Sequence, residues 1–238
     1  MSPFAPRKQR YFRGAKGDTR NMDDFNSYIW PIVWLSLQVA GAAVLLSAVI
    51  GLPLGCWLGL ARFRGKGAVS ALIYTGMAMP PVVIGLLVYL LLSRSGPLGA
   101  WGWLYTPKAM VLAQTILDLP FVVGITTAAV AAIPPELHFQ VRSLGASQWQ
   151  ARRTILREAR PGVILALATA LGRSMSEVGA VLIVGGNIQE HTRVLTTAIV
   201  LETSRGQFAI ALWLGAVLLS IALTVNFAII RFHRAPPT

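Results

Sequence analysis

Five long apolar stretches constrain this chain more than any other feature. Each is apolar around the whole circumference of a helix, and they cover residues 31–60, 69–93, 109–133, 161–184 and 207–230. A helix needs about 20 mainly apolar residues to cross a bilayer, so each stretch is long enough to span a membrane. Only 13% of the 238 residues are charged, against about 25% in a soluble domain. The sequence therefore predicts an all-α membrane protein, a polytopic bundle of about five transmembrane helices.

Positive charge is divided unevenly among the connections between these stretches. Residues 61–68 and 134–160, together with the C-terminal end, carry ten lysines and arginines, whereas residues 94–108 and 185–206 carry four. Cytoplasmic connections of inner-membrane proteins are enriched in such residues. The pattern predicts that the basic set is cytoplasmic, which with five spans places the N-terminus outside and the C-terminus inside. These basic connections also account for most of the net charge of +12. The charge therefore does not indicate nucleic-acid binding, which would need a long basic face with interleaved aromatics.

The N-terminal segment does not fit this orientation. Residues 1–21 carry six basic residues and one acid, and outside the cell they would oppose the positive-inside preference. A sixth span is one explanation, but nothing before Ile29 is apolar enough. We favour a true start at Met22, with residues 1–21 disordered or untranslated within a basic extension at 1–28. The transmembrane domain is then expected over residues 29–232, followed by a tail at 233–238.

Glycine and proline mark the first two spans. Gly51, Gly55 and Gly59 are four residues apart, a small-xxx-small repeat that lets helix backbones approach closely in lipid. The pair Pro80 and Pro81 removes two backbone donors and is expected to bend the second span. Lining of a translocation path and a purely structural bend are equally compatible with this proline pair.

The connection at residues 134–160 has a predicted structure of its own. Its two leading prolines, Pro134 and Pro135, suit the start of a helix. Gly145 is expected to end that helix, because glycine adopts positive φ readily. Ser147, followed three residues later by glutamine, is a capping-box signature for a second helix. The prediction is a helix, a sharp turn and a helix, which together offer a compact knob to the cytoplasm.

The segment RSLGASQWQARRTI within this connection resembles the cytoplasmic coupling loop of binding-protein-dependent ABC transporter permeases. Gly145 and Ile155 have the family's spacing of ten residues, although residues 139–141 are Phe-Gln-Val where the family has Glu-Ala-Ala. The resemblance implies that this loop docks on a separate ATPase subunit. The residues implied in that coupling are Arg142, Ser143, Leu144, Gly145, Ala146, Ser147 and Ile155.

A second segment is similar to the tungstate and molybdate permeases. It is GRSMSEVGAVLIVGGNIQEHTRVLTTAIVLE, residues 172–202. In those permeases an Arg-Ser-x-x-Glu-x-Gly-Ala helix leads into an external Asn-Ile-x-x-x-Thr-Arg segment. The residues of this segment resemble the tungstate type more than the molybdate type. The resemblance covers about residues 30–230 and implies the MetI-like architecture of a type I ABC importer permease in the inner membrane.

This resemblance also implies the function and the partners. The chain would pass an oxyanion, tungstate first and molybdate second, through a conduit formed with a second copy of itself. Two ATPase subunits would clamp the coupling loops, and a periplasmic or extracellular oxyanion-binding protein would deliver the anion. No catalytic residue, cofactor or metal site is expected in this chain. The alternatives are a permease of the same superfamily for sulfate, an amino acid or another small solute, and an ATP-independent channel or carrier.

Ionisable residues inside the spans are costly and need partners. Arg173 and Glu177 lie four residues apart in the fourth span, where pairing along one helix face would lower that cost. The pair is either a static contact or, with Ser176 and the proline pair at 80–81, part of a translocation path or dimer seam. Asp118 in the third span is expected to make a polar contact in the core or to cap a helix break.

Overall fold

The computed structural model of the chain describes residues 19–233. The predicted N-terminal extension lies outside these residues over 1–18, as does most of the predicted tail, over 234–238. Among the described residues the regular elements are helices: α1 Thr19–Leu60, α2 Lys66–Ala78, α3 Pro81–Leu92, a short 3-10 turn Gly99–Trp101, α4 Pro107–Ala131, α5 Pro135–Ser143, α6 Gln148–Glu158, α7 Arg160–Ser176, α8 Gly179–Gly185, α9 Leu195–Ser204 and α10 Phe208–His233. The all-α prediction is confirmed.

Within the described residues, three helices are long and apolar enough to cross a membrane unaided. These are α1 over Tyr28–Leu60, the whole of α4, and α10 over Phe208–Val225. Two further spans are divided between consecutive helices, since α2 and α3 meet at 94° and α7 and α8 at 58°. The first bend falls at Pro80, as the double proline predicts. The fourth predicted span is not one continuous helix.

Helices α1 and α4 pack along the small-xxx-small repeat. A methyl group built on Gly51 would lie 2.9 Å from Val122 Cγ1, and one on Gly59 would lie 2.7 Å from Val130 Cβ. Such close approach supplies packing energy that helices in lipid do not obtain from the hydrophobic effect. Residue numbers rise together along this contact, so α1 and α4 run parallel.

The parallel packing fixes the number of crossings. Because α1 and α4 run in the same direction, the intervening pair α2–α3 must return the chain across the bundle as one crossing. Helix α7 runs the other way, with Gly162 beside Ala129 near the end of α4 and Ser174 beside Asp118 near its middle. The pair α7–α8 is therefore one crossing as well, and α10 completes a bundle of five.

The bundle has two ends with different connections. We call the end that carries α5 and α6 the α5–α6 face, and the other end the opposite face. Arg62, in the turn between α1 and α2, and Arg152 on α6 line one cleft, so the two basic connections share the α5–α6 face. On the opposite face, the backbone N–H of Tyr105 donates to the carbonyl of Val184, 2.9 Å away. This grouping is the one that the charge pattern predicts.

The core lies where α3, α4 and α8 meet, and a second cluster joins α1, α9 and α10. Val88, Met110 and Val181 are fully buried members of the first, and Leu195 and Leu214 of the second. Helix α9 is an addition to the sequence prediction, which treats residues 185–206 as a connection. Its buried face packs α1 against α10, so this segment is part of the bundle.

Candidate functional site

The α5–α6 face carries an exposed elbow, residues 142–147, at the turn between the two helices. Leu144 at its tip is 87% exposed. Gly145 has φ of 84°, in the left-handed region that glycine enters without steric cost. The turn closes on itself, since Arg142 Nη1 donates to the carbonyl of Ala146 at 2.9 Å. The predicted helix, turn and helix are confirmed, and six of the predicted coupling residues lie together.

A capping box fixes the start of α6. The backbone N–H of Gln150 donates to Ser147 Oγ at 3.2 Å, and the backbone N–H of Ser147 donates to Gln150 Oε1 at 2.7 Å. Each bond satisfies a donor that the first turn of a helix would otherwise leave without a partner. These two bonds fix the direction in which α6 leaves the elbow.

Helix α6 has a buried face and an exposed face. Ala151 and Ile155 of α6, and Ala159 directly after it, lie at four-residue intervals and are buried, and Ile155 lies in the same apolar cluster as Val130 at the end of α4. Ile155, a predicted coupling residue, thus lies beneath the elbow and anchors α6 to the bundle. This contact joins α6 to the end of α4.

The two helix breaks lie side by side. A methyl group built on Gly179 would lie 2.7 Å from Val82 Cγ2, and one built on Gly85 would lie 2.7 Å from Ala180 Cα. The start of α3, at Pro81, therefore rests directly on the start of α8. The structure brings together two groups that the sequence separates by about a hundred residues, the proline pair and the break after Ser176.

Glu177 occupies the break between α7 and α8. Its Oε1 accepts a hydrogen bond from the backbone N–H of Ala180 at 3.0 Å, and its carbonyl accepts one from Thr196 Oγ1 at 2.8 Å. A carboxylate at the start of a helix satisfies free N–H groups there and complements the helix dipole. Glu177 thus ties α8 to α9.

Arg173 takes a different partner. Its guanidinium carbon lies 4.6 Å from the centre of the Phe121 ring, a cation–π contact, and its buried Nε has no hydrogen-bond partner among the described residues. The predicted pairing of Arg173 with Glu177 is wrong, because α7 ends between them and turns the carboxylate toward α8. Ser176 is exposed beside the break, where its Oγ donates to the carbonyl of Arg173 at 3.0 Å.

Asp118 makes a polar contact in the core, one of its two predicted roles. The residue is 1% exposed, and its Oδ2 accepts a hydrogen bond from Ser174 Oγ. Gln114 Nε2 donates to the carbonyl of Ser174 at 3.0 Å. Helix α4 continues through Pro120, so no helix break needs a cap. These bonds cross-link α4 and α7 next to Arg173.

A buried polar network on the opposite face was not anticipated from the sequence. Arg193 is 8% exposed, and its Nη1 donates to the Tyr28 hydroxyl at 3.4 Å while its Nε donates to Asn187 Oδ1 at 3.2 Å. The same hydroxyl donates to Glu202 Oε1 at 3.2 Å. The network ties α1 to α9. The available signal was Glu202 itself, an acid directly after the apolar run of residues 198–201.

A bundle of five crossings with an exposed elbow and two adjacent helix breaks defines a multi-pass integral membrane protein. The family model for binding-protein-dependent transport system inner membrane components matches residues 51–235, and the chain belongs to this family.

Two similar proteins are permeases for anions. A probable anion ABC transporter permease protein of Haloferax volcanii is 45% identical, covering 91% of this chain and 96% of the relative. The tungstate uptake system permease protein TupB of Peptoclostridium acidaminophilum is 40% identical, covering 86% of this chain and 90% of the relative. The predicted ABC permease family is confirmed.

Among solved structures, the inward-facing MetNI methionine ABC transporter has a chain that superposes with a TM-score of 0.75 at 22% identity, covering 91% of this chain and 99% of that one. The likeness confirms the predicted MetI-like fold. The family match and the two relatives show that the chain is a multi-pass permease subunit of an ABC importer rather than an enzyme. In this family a substrate-binding protein and separate ATPase subunits complete the transporter.

Proposed function

We propose that the chain is the permease subunit of a tungstate importer. The observation that carries the proposal is the 40% identity to a tungstate uptake permease over 86% of this chain. The 45% identity to a probable anion permease supports an anionic solute independently. Residues 172–202, whose sequence resembles the tungstate type more than the molybdate type, form the break at Glu177 and most of the network around Arg193.

The α5–α6 face is cytoplasmic in this proposal. Both of the most basic connections lie there, and cytoplasmic connections carry the excess of lysine and arginine. The N-terminal end of α1 is then on the outer side and the C-terminal end of α10 on the inner side. The Arg193 network lies on the outer side, where an oxyanion-binding protein would dock.

The elbow couples the permease to two ATPase subunits, one on each of two copies of this chain. Binding of ATP draws the two elbows together and opens the outer side, where the loaded binding protein releases the anion. Hydrolysis restores the inward-facing state. The exposed tip at Leu144 makes the contact, and the buried contact of Ile155 with Val130 passes the movement to α4.

The paired helix breaks flank the conduit or the seam between the two copies. Pro80 and Pro81 on one side, and Arg173, Ser176 and Glu177 on the other, supply the only cluster of bends and ionisable groups that the described α3, α7 and α8 bring together. We do not assign Arg173 as a ligand that holds the anion, because a strongly binding site would trap a dianion and conduction needs weak binding.

Uptake measurements test the proposal. Cells that lack this chain should lose high-affinity tungstate uptake, measured as cell-associated tungsten, and the intact gene should restore it. Molybdate and sulfate should compete less well than tungstate. Unchanged tungstate uptake with loss of sulfate or amino-acid uptake would assign the subunit to another solute. Uptake that continues without a functional ATPase would favour an ATP-independent carrier.

A further inference from the structure

A basic cleft opens on the α5–α6 face, bounded by the ends of α1 and α4 and by the side of α6. Its volume is about 550 Å³, within the range of sites for small molecules. Three cationic side chains line it, those of Arg62, Lys66 and Arg152, and its lining contains no acidic residue. The cleft is therefore an anion-attracting site that the coupling role of the elbow does not explain.

The three cations differ in what they already contact. Lys66 Nζ donates to the carbonyls of Gly59 at 3.3 Å and Ala61 at 3.0 Å, so its charge is held against the C-terminal end of α1. Arg62 and Arg152 are exposed, and neither forms a salt bridge within the part of the chain that the structure describes. Their positive charge is available to a ligand.

The cleft also has apolar lining residues. Leu60, Ile133 and Phe139 line it together with the cations. The cleft also reaches Gly59 and Val130, which belong to the last turns of the spans α1 and α4. Since these helices leave the hydrocarbon layer here, the cleft lies at the depth of the lipid headgroups. Cations beside apolar side chains at this depth match a phosphate with its glycerol backbone.

We propose that this cleft binds the phosphate of an anionic phospholipid from the adjacent leaflet. Anionic headgroups attract basic residues at the membrane surface, by about fivefold in affinity for each lysine or arginine. A free tetrahedral oxyanion, such as inorganic phosphate or tungstate, shares this chemistry, and the experiment below separates the two sources. The inference requires only membrane insertion, so it stands apart from the identity of the transported solute.

Neighbouring arginines provide a matched control. Arg153 follows Arg152 but lies on another face of α6, with its guanidinium carbon 5.3 Å from the centre of the Trp149 ring. Arg64 lies two residues after Arg62 in the same turn and does not line the cleft. The double variant Arg62→Gln with Arg152→Gln therefore removes the same charge from the same two segments as Arg64→Gln with Arg153→Gln.

The test measures binding of phosphatidylglycerol to the purified full chain, by native mass spectrometry of lipid titrated against a phosphatidylcholine background. Loss of Arg62 and Arg152 should weaken binding to the tightest phosphatidylglycerol site by about twenty-five-fold, as the product of two fivefold terms. The control pair should bind as the unmodified chain does. Because the replaced side chains are exposed, both variants should keep the elution volume of the folded chain, and the single variants Arg62→Gln and Arg64→Gln repeat the comparison if either double variant aggregates.

Two results would overturn the proposal. Equal weakening in the cleft variant and in the control would mean that lipid responds only to the general surface charge. Displacement of the lipid by millimolar phosphate or tungstate, with binding of that ion to the chain in a purely zwitterionic membrane, would mean that the cleft serves a free oxyanion. Preferential loss of phosphatidylglycerol in the cleft variant alone would support it.

Discussion

Replacement of Gly55 by alanine should loosen the contact between α1 and α4. A methyl group at this position would lie 2.7 Å from Thr126 Cβ and 2.9 Å from the carbonyl oxygen of Val123. The carbonyl belongs to the backbone of α4, so the clash can be relieved only by moving one helix. Overpacking of this kind costs about 1–3 kcal/mol, of which the better helix propensity of alanine offsets about 0.5–1 kcal/mol.

A net loss of about 0.5–2 kcal/mol corresponds to a fall in Tm of about 1–8 °C for a chain of this length. Thermal unfolding of the purified protein in detergent measures it. Gly41→Ala is the matched control, because Gly41 lies in the same helix and a methyl group there would meet nothing within 4 Å. If Gly55→Ala were as stable as Gly41→Ala, the two helices would not approach through this glycine.

Three other substitutions test separate contacts. Ser147→Ala removes the side-chain half of the capping box and should cost about 1 kcal/mol, seen as faster protease cleavage at the elbow; unchanged cleavage would contradict it. Ser174→Ala leaves buried Asp118 Oδ2 without its donor and should lower stability by about 1–3 kcal/mol, measured by thermal unfolding; equal stability would show that this bond contributes nothing. Tyr28→Phe removes the hydroxyl that donates to Glu202, and faster hydrogen exchange in α9 is expected, whereas unchanged exchange would mean that the network does not hold this helix.

The parts of the structure that the sequence predicts are those set by local signals. The elbow follows from Gly145 and from the serine and glutamine of the capping box, all within a few residues of one another. The bend at Pro80 follows from the missing backbone donors of the proline pair. The five crossings follow from apolar length alone, because a bilayer requires about 20 such residues whatever their tertiary contacts.

The parts that the sequence does not predict depend on contacts between distant residues. The break at Glu177 has no proline, and it is stabilised by a bond from Thr196, which lies 19 residues away. Helix α9 has only ten residues, too few for the sequence to indicate a span. It is stabilised by packing against α1 and α10, which the sequence does not show. The pairing of Tyr28 with Glu202 joins residues 174 positions apart.

Substitutions at Gly145 test the proposed coupling role of the elbow, because they change its backbone conformation. Its φ of 84° is unavailable to proline, which fixes φ near −65°, and its N–H donates to the Arg142 carbonyl at 3.0 Å. Asparagine tolerates positive φ, and a side chain at Gly145 would meet nothing within 4 Å. Gly206, with φ of 72° and equally open surroundings on the opposite face, provides a control for strain outside the elbow.

The decisive experiment measures tungstate uptake and ATP hydrolysis separately in proteoliposomes that contain this chain, the ATPase subunit and the binding protein. Gly145→Pro should abolish both uptake and the stimulation of ATP hydrolysis by loaded binding protein, with normal amounts of the protein in the membrane. Gly145→Asn and Gly206→Asn should keep both activities. Normal uptake by Gly145→Pro would contradict the account, because the elbow would then not carry force from the ATPase into the membrane helices.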